Sequence, residues 1–143
     1  MPYKYLDNIA IADAAFEAWG DTLEEMFRAA AAAAMNVMVA DLDAIGDRVQ
    51  KTIELQDNAL DMLLLNFLQE LIFYKDAEQL LLRIKNVAIK HEKNHYSLTA
   101  AAYGEPADPQ KHDLVVDVKA VTLHRLKVEK TPHQWRSTVV LDI

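Results

Sequence analysis

Residues 60–90 read LDMLLLNFLQELIFYKDAEQLLLRIKNVAIK, and within that stretch the spacing of apolar side chains changes from one backbone repeat to another. Leu60, Leu63, Leu64, Phe67, Leu68, Leu71 and Ile72 recur at helical intervals on one buried face, leaving Asp61, Gln69 and Glu70 for solvent. Leu82, Ile84, Val87 and Ile89 then follow the alternation of a strand with one face buried, broken by an irregularity near Asn86. Asp57 or Asn58 stands where a cap for the helix is needed. An amphipathic helix beside half-buried strands must bury its stripe on a sheet, which points to an α+β fold.

Upstream, Val49, Lys51, Ile53 and Leu55 form another alternating strand. A second helix opens at Thr22, with Glu25 placed to complete a capping box, and Leu23, Met26, Phe27, Ala30, Ala31 and Ala34 make its buried face. The alanines keep that face shallow, so the helix can lie close to a sheet. Met26, Met35, Met38 and Met62 fall at packing positions of the helices. An N-terminal strand pair, Tyr3–Asp7 and Ala14–Trp19, precedes them. Tyr96–Tyr103, Val118–Val128 and Trp135–Leu141 read as later strands, with turn chemistry at Gly104-Glu105-Pro106 and Thr131-Pro132. Residues 104–113 read as a long surface loop. The expected architecture is a single domain over residues 1–143, α+β, a two-layer sandwich of one mainly antiparallel β-sheet covered on one face by two α-helices.

Composition removes several classes. The chain has 143 residues and no cysteine, which excludes a disulfide framework and thiolate metal sites, and a core of this size needs neither. Met1–Asn8 lacks the pattern of a signal peptide, and the apolar run at Ala29–Val39 is shorter than the roughly 20 residues of a spanning helix. A reducing, cytoplasmic setting is the expectation. The net charge of −7 disfavours direct binding to a phosphate backbone unless the basic residues of the second half segregate on one face.

No glycine-rich phosphate loop and no nucleophile elbow is present. His91 and His95 have a spacing that joins two ligands only on a helix, and they fall at a strand connection, so zinc there is not expected. His112 and His133 lie near turns and His124 in a strand, all read as polar surface or interface positions. Asp41, Asp43 and Asp47 read as a solvated acidic loop after the first helix. Asp13 and Asp142 stand out, because each is an acid in apolar company, and Asp142 adjoins the terminal Ile143. If the first and last strands meet, both carboxylates and the terminal carboxylate could converge as hard oxygen ligands. Aspartates at strand ends also accept backbone hydrogen bonds, so this pattern leaves both readings open.

Four stretches carry a resemblance that covers nearly the whole chain: IADAAFEAWGDTLEEMF, LDMLLLNFLQELIF, AAAYGEPADPQKH followed by VKAVTLHRLKVEK, and WRSTVVLDI. Together they resemble the archease family. The resemblance implies an accessory protein for an RtcB-type RNA ligase, one that promotes guanylylation of the ligase and its multiple turnover in tRNA splicing. The ligase supplies the active site, and RNA is engaged only through it. The resemblance also implies that Asp13 and Asp142, with Ile143 at the chain end, hold a divalent metal. Calcium is the expected ion because it tolerates an irregular oxygen set, with magnesium as the alternative. One departure is visible: the family's His-Thr-Ala-Asp stretch is replaced by Ala10-Ile11-Ala12-Asp13. Two other readings compete, a general protein-binding or chaperone-like module and, ranked last, a small metal-dependent hydrolase.

Overall fold

The computed structural model describes residues 2–7 and 13–143. In chain order these form β1 (Tyr3–Leu6), β2 (Asp13–Gly20), α1 (Leu23–Met38), β3 (Val49–Asp57), α2 (Leu60–Glu78), β4 (Leu80–Glu92), β5 (His95–Pro106), β6 (Ala120–Val121), β7 (Lys127–Lys130) and β8 (Trp135–Asp142). Thr22 caps α1, its Oγ1 accepting the Glu25 N–H at 3.1 Å. The return bond runs from the Asp21 N–H to Glu25 Oε2 at 2.9 Å, one residue before the cap itself. Helix α2 is entered differently from the expectation. Its cap position is Ala59, and the Asp57 carboxylate accepts the N–H of Ala59 instead of one inside the helix.

The α+β class holds, with two helices packed on antiparallel strands. Those strands divide into two sheets: β1-β2-β8-β6, with β7 also paired to β8, and β3-β5-β4. The division has a local cause. Helix α1 packs along β4, and the Ile89 N–H of that strand points at Glu24 Oε2 of the helix, 3.4 Å away. The free edge of β4 is thus covered by a helix, as exposed sheet edges commonly are, and cannot join the other sheet. Each helix touches strands of both sheets, and one hydrophobic cluster runs through them. Phe27 of α1 and Phe67 of α2 meet in it with ring centroids 5.8 Å apart.

The irregularity near Asn86 is a β-bulge. Ile84 pairs with Ala102 and Asn86 with Ala101, so Lys85 is the inserted residue and the buried face shifts to Val87 and Ile89. Two other strand limits differ from the sequence reading. Gly104, Glu105 and Pro106 are the end of β5 and not a turn. A Cβ on Gly104 would lie 1.8 Å from the Leu81 carbonyl oxygen, so glycine is required there by close backbone approach. Val118–Val128 is broken into β6 and β7 by a turn in which Arg125 has a φ of 57°. Among the described residues no helix is long and apolar enough to cross a membrane.

Candidate functional site

Strands β2 and β8 run antiparallel over their full lengths, and their register pairs Asp13 with Asp142. Directly paired residues project from the same face of a sheet, so β2 and the last strand, β8, set the two carboxylates side by side on one face. Phe16, Ala18, Ser137 and Val139 lie on the opposite, buried face. Asp13 and Asp142 are only half-buried, at the end of the ladder, and among the described residues neither takes part in a salt bridge. On its other side Asp142 pairs with Ala120 of β6, and its carbonyl accepts the Lys119 N–H at 2.8 Å. Ile143 packs its side chain against the core, which fixes the chain end beside the pair.

Two like charges opposite each other on a sheet disfavour folding, by roughly 0.2–1 kcal/mol for such a pair, unless a cation lies between them. Two carboxylates beside a chain terminus and backbone carbonyls suit a hard divalent ion with oxygen ligands. The described residues contain no cluster of three or more metal-ligating side chains, so any further donors would be the terminus, carbonyls or water. Residues 10–12, where the chain departs from the His-Thr-Ala pattern, lie outside the described residues.

A second polar cluster was not expected. Glu105 and His112 are both buried, at 2% and 1% exposure. Glu105 Oε2 accepts from the Gly46 N–H at 2.7 Å, pairs with Lys111 Nζ at 2.7 Å and meets His112 Nε2 at 2.9 Å. His112 Nδ1 accepts the Asp108 N–H at 2.9 Å, which assigns the proton to Nε2 and makes that nitrogen the donor to Glu105. Glu105 is held at about 2 from an ordinary 4.5, first by the Lys111 ammonium, then by the Gly46 N–H and His112, against burial. His112 is therefore a core histidine, which corrects its reading as a surface residue. Its position near a turn hid it, because the turn folds back over the end of β5. The alternation of Tyr96–Tyr103 continues through Gly104 and carries the strand to Glu105, but it sets Glu105 in phase with Thr99 and Tyr103 on the less buried face and so gives no sign of its burial.

The remaining candidates stay apart. His91 pairs with Tyr96 and Glu92 with His95 across the β4–β5 hairpin, so the two histidines project from opposite faces. His91 instead stacks on Tyr96 with centroids 4.1 Å apart. His124 sits in the turn between β6 and β7, exposed. Asp41 caps the short 3-10 turn Leu42–Ala44 through the Asp43 N–H, and Asp43 pairs with Arg83 at 3.3 Å.

Compared with known proteins, residues 3–143 match the model of the archease protein family. The archease of Pyrococcus abyssi is 39% identical over 133 residues, covering 92% of this chain and 93% of that protein. A Methanobacterium thermoautotrophicum protein solved in solution superposes with a TM-score of 0.85 at 31% identity, over 99% of each chain. The crystal structure of a Thermotoga maritima archease, described as a possible chaperone, superposes with a TM-score of 0.53 at 20% identity, over 94% of this chain and 93% of that one.

Proposed function

This chain belongs to the archease family, and from that premise we propose that it is a cytoplasmic accessory protein that activates an RtcB-type RNA ligase. The ligase performs the chemistry of RNA joining. This protein promotes the guanylylation of the ligase and its repeated turnover in tRNA splicing, and meets RNA only through its partner. The observation that carries the reading is the pairing of Asp13 with Asp142 at the open end of the β2–β8 ladder. These two side chains, with the carboxylate at Ile143, would hold a divalent ion, calcium by preference and magnesium as the alternative. Calcium accepts an irregular set of oxygen ligands, whereas magnesium requires a near-ideal octahedron. When bound, such an ion supplies a fixed positive charge able to orient carboxylates or phosphates of the partner. The protein's own contribution is to hold two acids in register on rigid strands.

The test is covalent guanylylation of the matching ligase with GTP and a divalent ion, with and without this protein. Guanylylation accelerates when the protein is added at substoichiometric ratios. No acceleration across a range of ratios would sink the proposal. A chaperone-like role is the second reading, favoured by the exposed run Leu114, Val115 and Val116. That role predicts suppressed aggregation of unrelated unfolded proteins, an outcome the ligase-specific reading does not produce.

A further inference from the structure

Residues 113–119, DLVVDVK, run from the loop after β5 to strand β6 without a turn or bend. Leu114, Val115 and Val116 are all exposed, a concentration of apolar side chains that marks an interaction surface more often than a plain connection. The segment is paired on one side only. The Ala40 N–H donates to the Asp113 carbonyl and the Val115 N–H to the Met38 carbonyl, both at 2.9 Å, across an isolated antiparallel bridge between Val39 and Leu114. In that pattern the main-chain groups of Asp113 and Val115 face the bridge, and those of Leu114 and Val116 point away from it. Among the described residues no hydrogen bond reaches the N–H or C=O of Leu114 or Val116. The run is thus a short, apolar, unpaired strand edge, a template that proteins usually cover or charge. A groove of about 310 Å³ adjoins it, lined by Leu114, Val115 and Val116 and by the buried side chains of Met38 and Leu81.

Two acids bracket the apolar run. The Asp113 side chain is exposed and, among the described residues, forms no salt bridge. Asp117 is 72% exposed and shares Lys75 with Asp76, 56% exposed, while the lysine side chain between them is only 11% exposed. Water meets these carboxylates and hardly meets the cation. Lys119, the next cation along the segment, lies past the run, where its N–H bonds to the Asp142 carbonyl. The bracket decides what can pair with the edge. A second copy of the chain joining antiparallel, Leu114 against Val116, would set Asp113 opposite Asp117 at both ends, and like charges directly opposite disfavour pairing. A strand with basic side chains at those two positions turns both repulsions into attractions.

We propose that the Leu114–Val116 edge docks an extended segment of a protein partner, three aliphatic residues bracketed by basic ones, added as an antiparallel strand. In this mode of recognition main-chain hydrogen bonds supply affinity and side-chain contacts supply selectivity. Leu114 and Val116 offer the main-chain groups, the groove takes an aliphatic side chain from one face of the added strand, and Asp113 and Asp117 fix its register. Such selectivity goes beyond a chaperone-like role, which asks only for exposed apolar surface. The edge needs neither an ion nor RNA, so its test stands apart from that of ligase activation.

The experiment titrates the full chain, in chelator and without ligase or RNA, with the end-capped peptide Lys-Val-Ile-Val-Lys, read by backbone nitrogen–proton NMR. The amide signals of Leu114 and Val116 move downfield, and that of Val115, already bonded to Met38, moves less. The same peptide with glutamate in place of both lysines binds about fivefold more weakly or worse, as expected when exposed ion pairs become repulsions. Methylating the two valine nitrogens, which face Leu114 and Val116, abolishes binding, whereas methylating the isoleucine nitrogen, which faces outward, does not. Asp113→Lys, at an exposed side chain, narrows the preference for the basic peptide by about fivefold. Amide signals of Leu114 and Val116 unmoved at about 1 mM peptide overturn the proposal and leave the two acids as guards against self-pairing. Equal binding of the basic and acidic peptides overturns it in favour of an unselective apolar surface. So does binding indifferent to methylation of the valine nitrogens, and shifts that follow protein concentration instead of peptide overturn it in favour of a second copy.

Discussion

At the scale of single residues, Glu105 shows how a buried charge is made tolerable. A carboxylate removed from water loses its hydration, and it survives only where donors surround it. Here one oxygen meets Lys111, the Gly46 N–H and His112, which come from two loops and so tie those loops to the end of β5. Gly46 permits this approach, because a Cβ there would lie 3.2 Å from both carboxylate oxygens. The linkage to pH has a definite sign. The folded carboxyl titrates at about 2 and the reference value is 4.5, so between them the unfolded chain binds more protons and stability rises with pH. The contribution is complete above the unfolded value and is lost as the pH falls towards about 2. Glu105→Gln is therefore less stable than the parent at neutral pH, and the gap in melting temperature closes on acidification. Thermal melts of both proteins across that window test this, and a gap independent of pH would show that the charge is not what matters. Asp13 and Asp142 were legible from sequence because acids in apolar surroundings are conspicuous. Glu105 and His112 were not, since glycine and proline around Glu105 suggest a turn until the facing backbone is known.

At the scale of elements, the hydrophobic repeats located both helices and most strands, but their ends were set by contacts that no local pattern contains. Val118–Val128 has the composition of one strand. Its ladder is interrupted because β8 is paired by β6 at one end and β7 at the other, with the chain turning outward between them. The β4 bulge, by contrast, was visible as the three-residue step from Ile84 to Val87, because an inserted residue must shift the phase of alternation. Gly104 offers the sharpest test of an element's limits. It pairs with both Leu82 and Val49 inside the three-stranded sheet, and the Leu81 carbonyl fills the space a side chain would need. Gly104→Ala costs about 1–3 kcal/mol or more, as overpacking does, since backbone must move to admit the methyl group. Chemical denaturation reads that cost. A neutral result would mean that Gly104 only turns the chain, as its neighbours in sequence first suggest.

At the scale of the whole molecule, the helix-on-sheet class followed from two stripes and several alternating runs, whereas the division into two sheets did not. Which strands pair is decided by long-range closure, here of the N-terminal strands onto β8, and by α1 covering the edge of β4. That closure is what gives the Asp13–Asp142 pair its consequence for stability. Without an ion the two carboxylates oppose each other across the ladder and weaken it, so Asp142→Asn in chelator leaves the fold as stable or firmer by roughly 0.2–1 kcal/mol. With calcium the order reverses. An ion bound only by the folded chain stabilises it by about 2.7 kcal/mol at a hundred times its dissociation constant, and the variant lacks one of the two carboxylates proposed to hold it. Melting temperatures of the parent and of Asp142→Asn therefore cross between chelator and saturating calcium. The same experiment with magnesium ranks the two ions. Parallel responses of the two proteins would show that Asp142 holds no ion and that the strand-end aspartates serve only the ladder.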